Sequence, residues 1–243
     1  MKTLITLCTY NEAENLKDLI PELQSHVPDA VILVIDDNSP DGTSLLVKEM
    51  AASDVRLRLI QRPGKLGLGT ATLAGFQYAM AHSFDVLVNL DADFSHGPEY
   101  VPQLLDKMNE CDVAIASRYV EGGGVAGWTL RRKLMSQTIN FWARTMLGLK
   151  TADNSGSFRS YRVTRLQEID WDLTIARGYA FQEEVLYRLS RTGCRMCEIP
   201  FIFQDRRYGV TKINLRECIA AVWVIFVLGI QRLLGYRVKR VPS

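Results

Sequence analysis

The amino-acid sequence predicts an α/β fold: a mainly parallel sheet flanked by helices, with an apolar or amphipathic helix near the C-terminal end. Three observations carry that expectation. Short apolar runs recur along the first half, and residues 31–35 form an unbroken aliphatic one, as suits a strand buried on both faces. Longer amphipathic or small-residue segments separate these runs, which gives strand–helix alternation and so parallel crossovers. Two of the runs end in carboxylates, Asp36-Asp37 and Asp91/Asp93, on the sheet edge where open α/β folds bind ligands.

The elements follow in order. Residues 4–8 read as a strand, and a helix starts at about Glu12, with Asn11 as N-cap and Glu14 three residues on. Residues 31–35 are the second strand. Asp41-Gly42-Thr43 opens a helix that runs to about Ala52. Residues 56–60 alternate like a more exposed strand, and residues 69–81 are small-residue rich and helical. Residues 86–90 are a strand. Residues 98–108 are a helix with Pro98 in its first turn, and residues 113–117 are another strand. The second half is less regular: helix at 128–147, strand at 157–161, helix at 181–190, strand at 196–203. Residues 218–230 are continuously apolar but shorter than the about 20 residues of a membrane-spanning helix. Arg232, Arg237, Lys239 and Arg240 follow, so this helix either lies on a membrane surface or is buried in the core. No linker cuts the chain into independent units. The expected organisation is a catalytic domain over residues 1–212 and an apolar, basic helix over 213–243.

Composition narrows the function classes. The 243 residues fit one large domain, and 47% hydrophobic content supports a sizeable core. The net charge of +2 gives no reason to expect nucleic acid as a partner. The N-terminus enters a strand-like run directly and reads as no signal peptide. Five scattered cysteines read as reduced thiols of a cytosolic protein. Cys194 and Cys197 lack a second pair or a nearby His, so they read as a strand flank and not as a zinc site.

Asp91 and Asp93 are the centre of the chemistry. In a strand, residues i and i+2 point to one side, so the two acids are expected to sit together. Their repulsion favours a shared cation, and oxygen ligands with few His select Mg²⁺ or Mn²⁺. Such an ion keeps positions for phosphate oxygens. Asp36 and Asp37, directly on an apolar strand, read as acceptors for ribose or base, while residues 38–43 have ordinary turn chemistry. Lys65-Leu66-Gly67-Leu68-Gly69 is neither a Walker loop nor a dinucleotide fingerprint, but its glycines permit close backbone approach and Lys65 suits a phosphate. Arg118 ends a strand on the same edge. Gly122-Gly123-Gly124 reads as a flexible loop, and Arg131, Arg132 and Lys133 start a helix with Ser136 one turn on. Arg206 to Lys212 reads as a basic loop around Gly209, either closing on an anion or simply solvated. In Gln182-Glu183-Glu184 the acids suit a helix N-terminus.

In order, Thr9-Tyr10-Asn11-Glu12, the run from Asp36 to Thr43, the run from Lys65 to Gly69, the run from Asp91 to His96 and Ser117-Arg118-Tyr119 resemble one family. It is the dolichol-phosphate mannose synthase branch of the inverting, A-type nucleotide-sugar glycosyltransferases. The match continues through Gly127-Trp128, Arg132 and Ser136, Asp153 to Arg159, Gly178 to Glu184, and Asp205 to Lys212. The resemblance implies a GT-A fold and a metal-dependent inverting transfer of mannose from GDP-mannose to a polyprenyl monophosphate. It implies that Tyr10, Glu12, Asp36 and Asp37 hold the nucleoside, and that Cys8, Val34, Lys65, Ala92 and Arg118 line the donor with them. It puts the metal at Asp91 and Asp93, with Ser95 in the neighbouring position. It puts Arg118, Arg132 and Ser136 at the acceptor phosphate, and Arg206 and Lys212 on a loop over the donor. Cys8 stands where the family usually has Pro, and some members carry Gln at the Ser95 position. The chain resembles the family's short form without appended membrane helices, peripheral on the cytoplasmic face, with small membrane subunits as open partners.

A phosphate acceptor is already anionic at neutral pH and needs no strong general base, which fits a chain with three His. Asp93, Arg118, Arg132 and Ser136 are the expected catalytic set. Rival expectations are a UDP-glucose or UDP-N-acetylglucosamine transferase of the same fold and a silent subunit of a membrane glycosylation complex. A nucleotidyltransferase is disfavoured, because Leu7-Cys8-Thr9-Tyr10 offers no Gly-rich loop.

Overall fold

A computed structural model of the chain describes residues 1–205 and 215–236. The expected domain boundary at 212/213, Arg206 and Lys212 lie outside the described residues.

The first half alternates as the sequence predicts. Strand β1 (Thr3–Thr9) leads to α1 (Ala13–His26), then β2 (Val31–Asp36), α2 (Thr43–Ser53), β3 (Leu57–Gln61), α3 (Leu68–Ala81) and β4 (Val86–Asp91). The expected helix at 98–108 divides into a 3₁₀ turn, Pro98–Tyr100, and α4 (Val101–Lys107). Then come β5 (Val113–Ser117), the short β6 (Gly124–Val125) and α5 (Leu130–Leu147). After these follow β7 (Arg159–Arg162), α6 (Val163–Gln167), a 3₁₀ turn at Trp171–Leu173, α7 (Phe181–Arg191), β8 (Met196–Pro200), β9 (Ile202–Phe203) and α8 (Leu215–Leu233).

Seven strands form the main sheet in the order β3-β2-β1-β4-β7-β5-β8, and only β7 runs antiparallel to its neighbours. Strands β4 and β5 therefore point the same way. Register fixes their heights: Asn89 and Ile115 both pair with Arg159, so Asp91 and Ser117 end level with each other. On the other side Cys8 pairs with Asp91 and Thr9 with Asp36. The chain leaves β1 toward β2 and later returns to its other side as β4, which makes the β1/β4 edge the switch point where such sheets open a crevice. Two apolar layers cover the sheet. One gathers α3, α6, α7 and the inner face of α8, and the other gathers α1 and α4.

Three local expectations need correction. Asn11 is not the cap of α1: it takes φ 59°, and Glu12 precedes the helix without a side-chain cap. The first turn is capped from the next loop instead, since Thr43 Oγ1 accepts from Glu12 N at 3.1 Å and Asp41 Oδ2 accepts from Ala13 N at 3.0 Å. The expected strand at 196–203 breaks after Pro200, and β9 pairs with β6 in a separate two-stranded sheet. That pairing also pins the expected flexible Gly122-Gly123-Gly124 loop, because Gly124 N donates to Phe201 O and Ala126 N to Phe203 O.

Helix α8 has one apolar face in the core and another exposed. Ala221, Val224, Ile225 and Leu228, at helical spacing, are buried in the core, while Ile219, Trp223, Phe226 and Leu233 are exposed.

Candidate active site

The donor side is built at the ends of β1, β2 and β4. Asp36 has no exposed surface. Its carboxylate accepts from Thr9 Oγ1 at 2.9 Å, Ser44 Oγ at 2.6 Å, Ser39 N at 3.0 Å and Ser39 Oγ. These bonds inside the protein tie Asp36 to the loop that follows β2. The side chains of Val34 and Ala92 are packed in the core. Asp37 is better placed. It is nearly buried, and Arg62 Nε lies 2.9 Å from its Oδ1 as an ion pair without hydrogen-bond alignment. Burial pushes its carboxyl above the usual range and outweighs the Arg62 guanidinium, which pulls the other way. Arg62 also donates to Thr70 Oγ1 at 2.9 Å. Lys65 lies 4.6 Å over the Tyr10 ring, at the rim of the same edge. The half-buried Cys8 thiol is pushed up to about 12 by burial and stays neutral.

The glycines of the 65–69 loop are packed tightly against the segment before α7. Gly67 has φ +101°, and a Cβ there would meet Arg177 O at 2.5 Å; one on Gly69 would meet Phe181 Cβ at 2.6 Å. Glycine is required here for close packing against the entry to α7.

Asp91 and Asp93 adopt different settings. β4 ends at Asp91, so strand alternation does not place Asp93, which lies in the following turn before Phe94 at φ 63°. Ser95 N and Oγ both bond Asp93 Oδ1, at 3.1 and 2.6 Å, which gives Ser95 an orienting role. Asp91 Oδ1 accepts from Ser157 Oγ at 2.8 Å, and its side chain is 36% exposed. His96 buttresses it. Its Nδ1 accepts from Asp91 N at 2.9 Å, its ring stacks on Phe158 at 4.9 Å, and burial lowers its pKa, so the imidazole is neutral with the proton on Nε2. No group of three or more His, Cys, Asp or Glu among the described residues is arranged to hold a metal. Asp91, with its side chain 36% exposed, nevertheless offers a carboxylate that suits a hard cation taking its remaining ligands from water and phosphate.

The expected acceptor side lies two strands away, after β5. Arg118 is caged. Its Nε and Nη2 donate to Asp153 Oδ2 and Oδ1, each at 2.7 Å, its backbone N donates to Asp153 Oδ2 at 3.0 Å, and Nη2 also reaches Ser155 Oγ at 3.0 Å. Burial alone would raise the Asp153 carboxyl, but the Arg118 guanidinium outweighs it and holds the group below the usual carboxylate range. The Asp153 loop is itself fixed: Glu198 accepts from Ala152 N and Asp153 N, and Asn140 Oδ1 accepts from Asn154 N and Ser155 N. Tyr119 Oη donates to Ser136 Oγ at 2.7 Å, and Arg132 lies 3.8 Å from Asp205. The structure thus brings Arg118, Arg132 and Ser136 into one neighbourhood. Sequence reasoning gave no role to Arg62, His96, Tyr119, Trp128, Asn140 or Asp153. Arg62 had a faint signal, a cation one residue beyond a strand end.

The remaining acids divide by partner. Glu184 is buried with its carboxylate filled by Ile175 N, Ala176 N and Arg188, an internal latch. Glu183 is buried with Oε2 unpartnered, and burial raises its carboxyl to about 7.

A mainly parallel sheet with Asp91 exposed at its switch point, and a caged arginine level with it two strands away, is the architecture of the A-type nucleotide-sugar transferases. A model of glycosyl transferase family 2 matches residues 4–170, and the chain belongs to that family; it is a glycosyltransferase. It is 40% identical over 226 residues to polyprenol monophosphomannose synthase of Mycolicibacterium smegmatis, covering 91% of this chain and 85% of that one. It is 39% identical over 214 residues to undecaprenyl-phosphate mannosyltransferase of Micrococcus luteus, covering 88% of each. Among solved structures, glucosyl-3-phosphoglycerate synthase of Mycobacterium tuberculosis with phosphoglyceric acid superposes with a TM-score of 0.64 at 18% identity, over 95% of this chain and 79% of that one. That likeness shows the fold.

Proposed function

We propose that this chain transfers mannose from GDP-mannose to a polyprenyl monophosphate, with inversion, at the cytoplasmic surface of a membrane. The observation that carries the reading is the 39–40% identity, across most of the chain, to two enzymes named for mannosyl transfer to polyprenyl acceptors. The geometry supports it. Asp37, Tyr10 and Lys65 form a rim for the nucleoside, and Asp91 and Asp93 face the diphosphate. A Mg²⁺ or Mn²⁺ ion held by the two aspartates would neutralise charge on the departing diphosphate. Arg118, Arg132 and Ser136 orient the acceptor phosphate for attack from behind the sugar. The acceptor brings its own charge, so His96 can be spent on buttressing Asp91. Arg206 and Lys212 are proposed to cover the donor.

The outer faces of α5 and α8 support the membrane assignment. Leu130 is 72% exposed, Phe141 68% and Trp223 63%, on two helices that pack together. Exposed apolar surface of this kind marks a docking face. No helix among the described residues is long and apolar enough to cross a membrane, so contact through the surface is the mode proposed.

The test is incorporation of radiolabelled mannose from GDP-mannose into extractable lipid, with a panel of polyprenyl phosphates and metals. Chelator should stop transfer, and Asp93→Ala should lower it about 1000-fold while the protein stays folded. Near-normal transfer by Asp93→Ala in chelator would sink the mechanism. Thermal stabilisation by UDP-glucose but not by GDP-mannose would move the donor to the rival class.

A further inference from the structure

Trp128 lies within reach of both guanidinium groups of the proposed acceptor side. Arg132 Cζ lies 4.2 Å from the indole ring centroid and Arg118 Cζ lies 5.4 Å from it. Both distances fall within the about 6 Å range of a cation–π contact. The ring is held by Phe203, edge-on at 5.2 Å and 66°, and Phe203 itself lies 5.8 Å from Arg132 Cζ. The indole Nε1 is buried and bonds none of the described residues. The side chain therefore contributes its faces and not its N–H.

The electrostatics explain why a ring is needed there. Two guanidinium ions aimed at one anion repel each other before the anion arrives. Arg118 has Asp153 at 2.7 Å as a counter-charge, and Asp205 lies 3.8 Å from Arg132. The negative face of an aromatic ring attracts a cation without ending its capacity to bind a phosphate, because it occupies none of the N–H donors. Trp128 also precedes Thr129, whose side chain caps α5 by accepting from Arg132 N at 3.3 Å. The ring and the backbone of Arg132 are thus fixed at the same helix start.

We infer that Trp128 is a positioning residue for the acceptor phosphate: its indole presets the spacing of Arg118 and Arg132 so that both meet one anion. The inference rests on the proposed reading that these two arginines take the polyprenyl phosphate.

The test uses the full chain in steady-state kinetics, with acceptor varied at saturating GDP-mannose and then the reverse. Trp128→Leu, which keeps apolar bulk without a ring, should raise the acceptor KM about ten-fold. Trp128→Phe, with a weaker ring, should fall between it and the wild type. The donor KM should stay within about two-fold in both. An unchanged acceptor KM, or donor and acceptor KM rising together as in general loosening, overturns the inference. If Trp128→Leu loses thermal stabilisation by GDP-mannose, Trp128→Phe decides by the same acceptor-selective criterion. A wild type that binds GDP-mannose but transfers to no polyprenyl phosphate defeats the underlying reading and this assignment with it. Wild-type transfer with insensitive variants defeats the assignment alone.

Discussion

The proposed donor half of the sheet edge holds Asp36, Asp41 and Asp93 with nearby hydroxyls, and the proposed acceptor half holds Arg118 with a carboxylate far along the chain. Asp36 is tied to Ser39 and Ser44, Asp41 to Thr43, and Asp93 to Ser95, all within eight residues. Arg118 reaches 35 residues to Asp153, and Asp153 N reaches 45 residues to Glu198. Hydroxyls fix an acid while leaving it ionised, and each such bond is worth little alone. A buried ion pair adds little net stability but is costly to break, because one charge is left uncompensated. The hydroxyl-held acids of the donor side should therefore tolerate single losses, while the Arg118–Asp153 pair should fail as a unit.

The largest expected effect is at Asp153. Asp153→Asn leaves the Arg118 guanidinium buried without its counter-charge and should cost about 3–5 kcal/mol in urea unfolding. Transfer should fall with it, about a hundred-fold or more, as the arginine loses its bidentate hold. Unfolding midpoints that match the wild type would break the contrast between the halves. Glu183 comes next. Its folded pKa of about 7 is raised above the ordinary 4.5, so its contribution is fully present below about pH 4.5 and is lost as pH rises through about 7. Glu183→Gln removes that loss and should be more stable than the wild type by about 3 kcal/mol at pH 8, with no gain near pH 4. A stability difference that does not change with pH would show that the buried carboxyl does not titrate. The smallest effect is on the donor side: Ser44→Ala removes one of several bonds to Asp36 and should cost about 1 kcal/mol. A loss as large as that of Asp153→Asn would erase the distinction.

The same contrast explains what was legible in the sequence. The β1–β4 half carries its own signals, because strands buried on both faces read as aliphatic runs and their loops carry Asp, Ser and Gly nearby. What failed there was local backbone detail. Asn11 adopts a left-handed conformation instead of capping, and β4 stops before alternation can align Asp93 with Asp91. In the acceptor half, β7 reads Arg-Ser-Tyr-Arg, yet Arg159 and Ser160 are fully buried. Arg159 is accepted in the core because its guanidinium bonds the Gln182 and Asn154 carbonyls, partners that no periodicity can reveal. Asp153, Asn140 and Trp128 stayed without roles for the same reason, since each acts through a residue far along the chain or through a ring face. Val34 and Asp36 show that lying near a strand end does not expose a side chain, since both are fully buried.

Strand β7 has a further consequence for how the protein is assembled. β1 to β4 form a contiguous half-sheet early in the chain, whereas both hydrogen-bonding neighbours of β5, namely β7 and β8, come later. During synthesis the β4 edge therefore stays unpaired while residues 92–158 emerge, and an open edge of this kind is a template for aggregation. Docking of the four residues of β7 closes that edge and gives β5 its first partner in a single event. Slow docking of β7 would leave a nascent chain with a finished nucleotide edge and no acceptor edge, most in need of a chaperone at that stage.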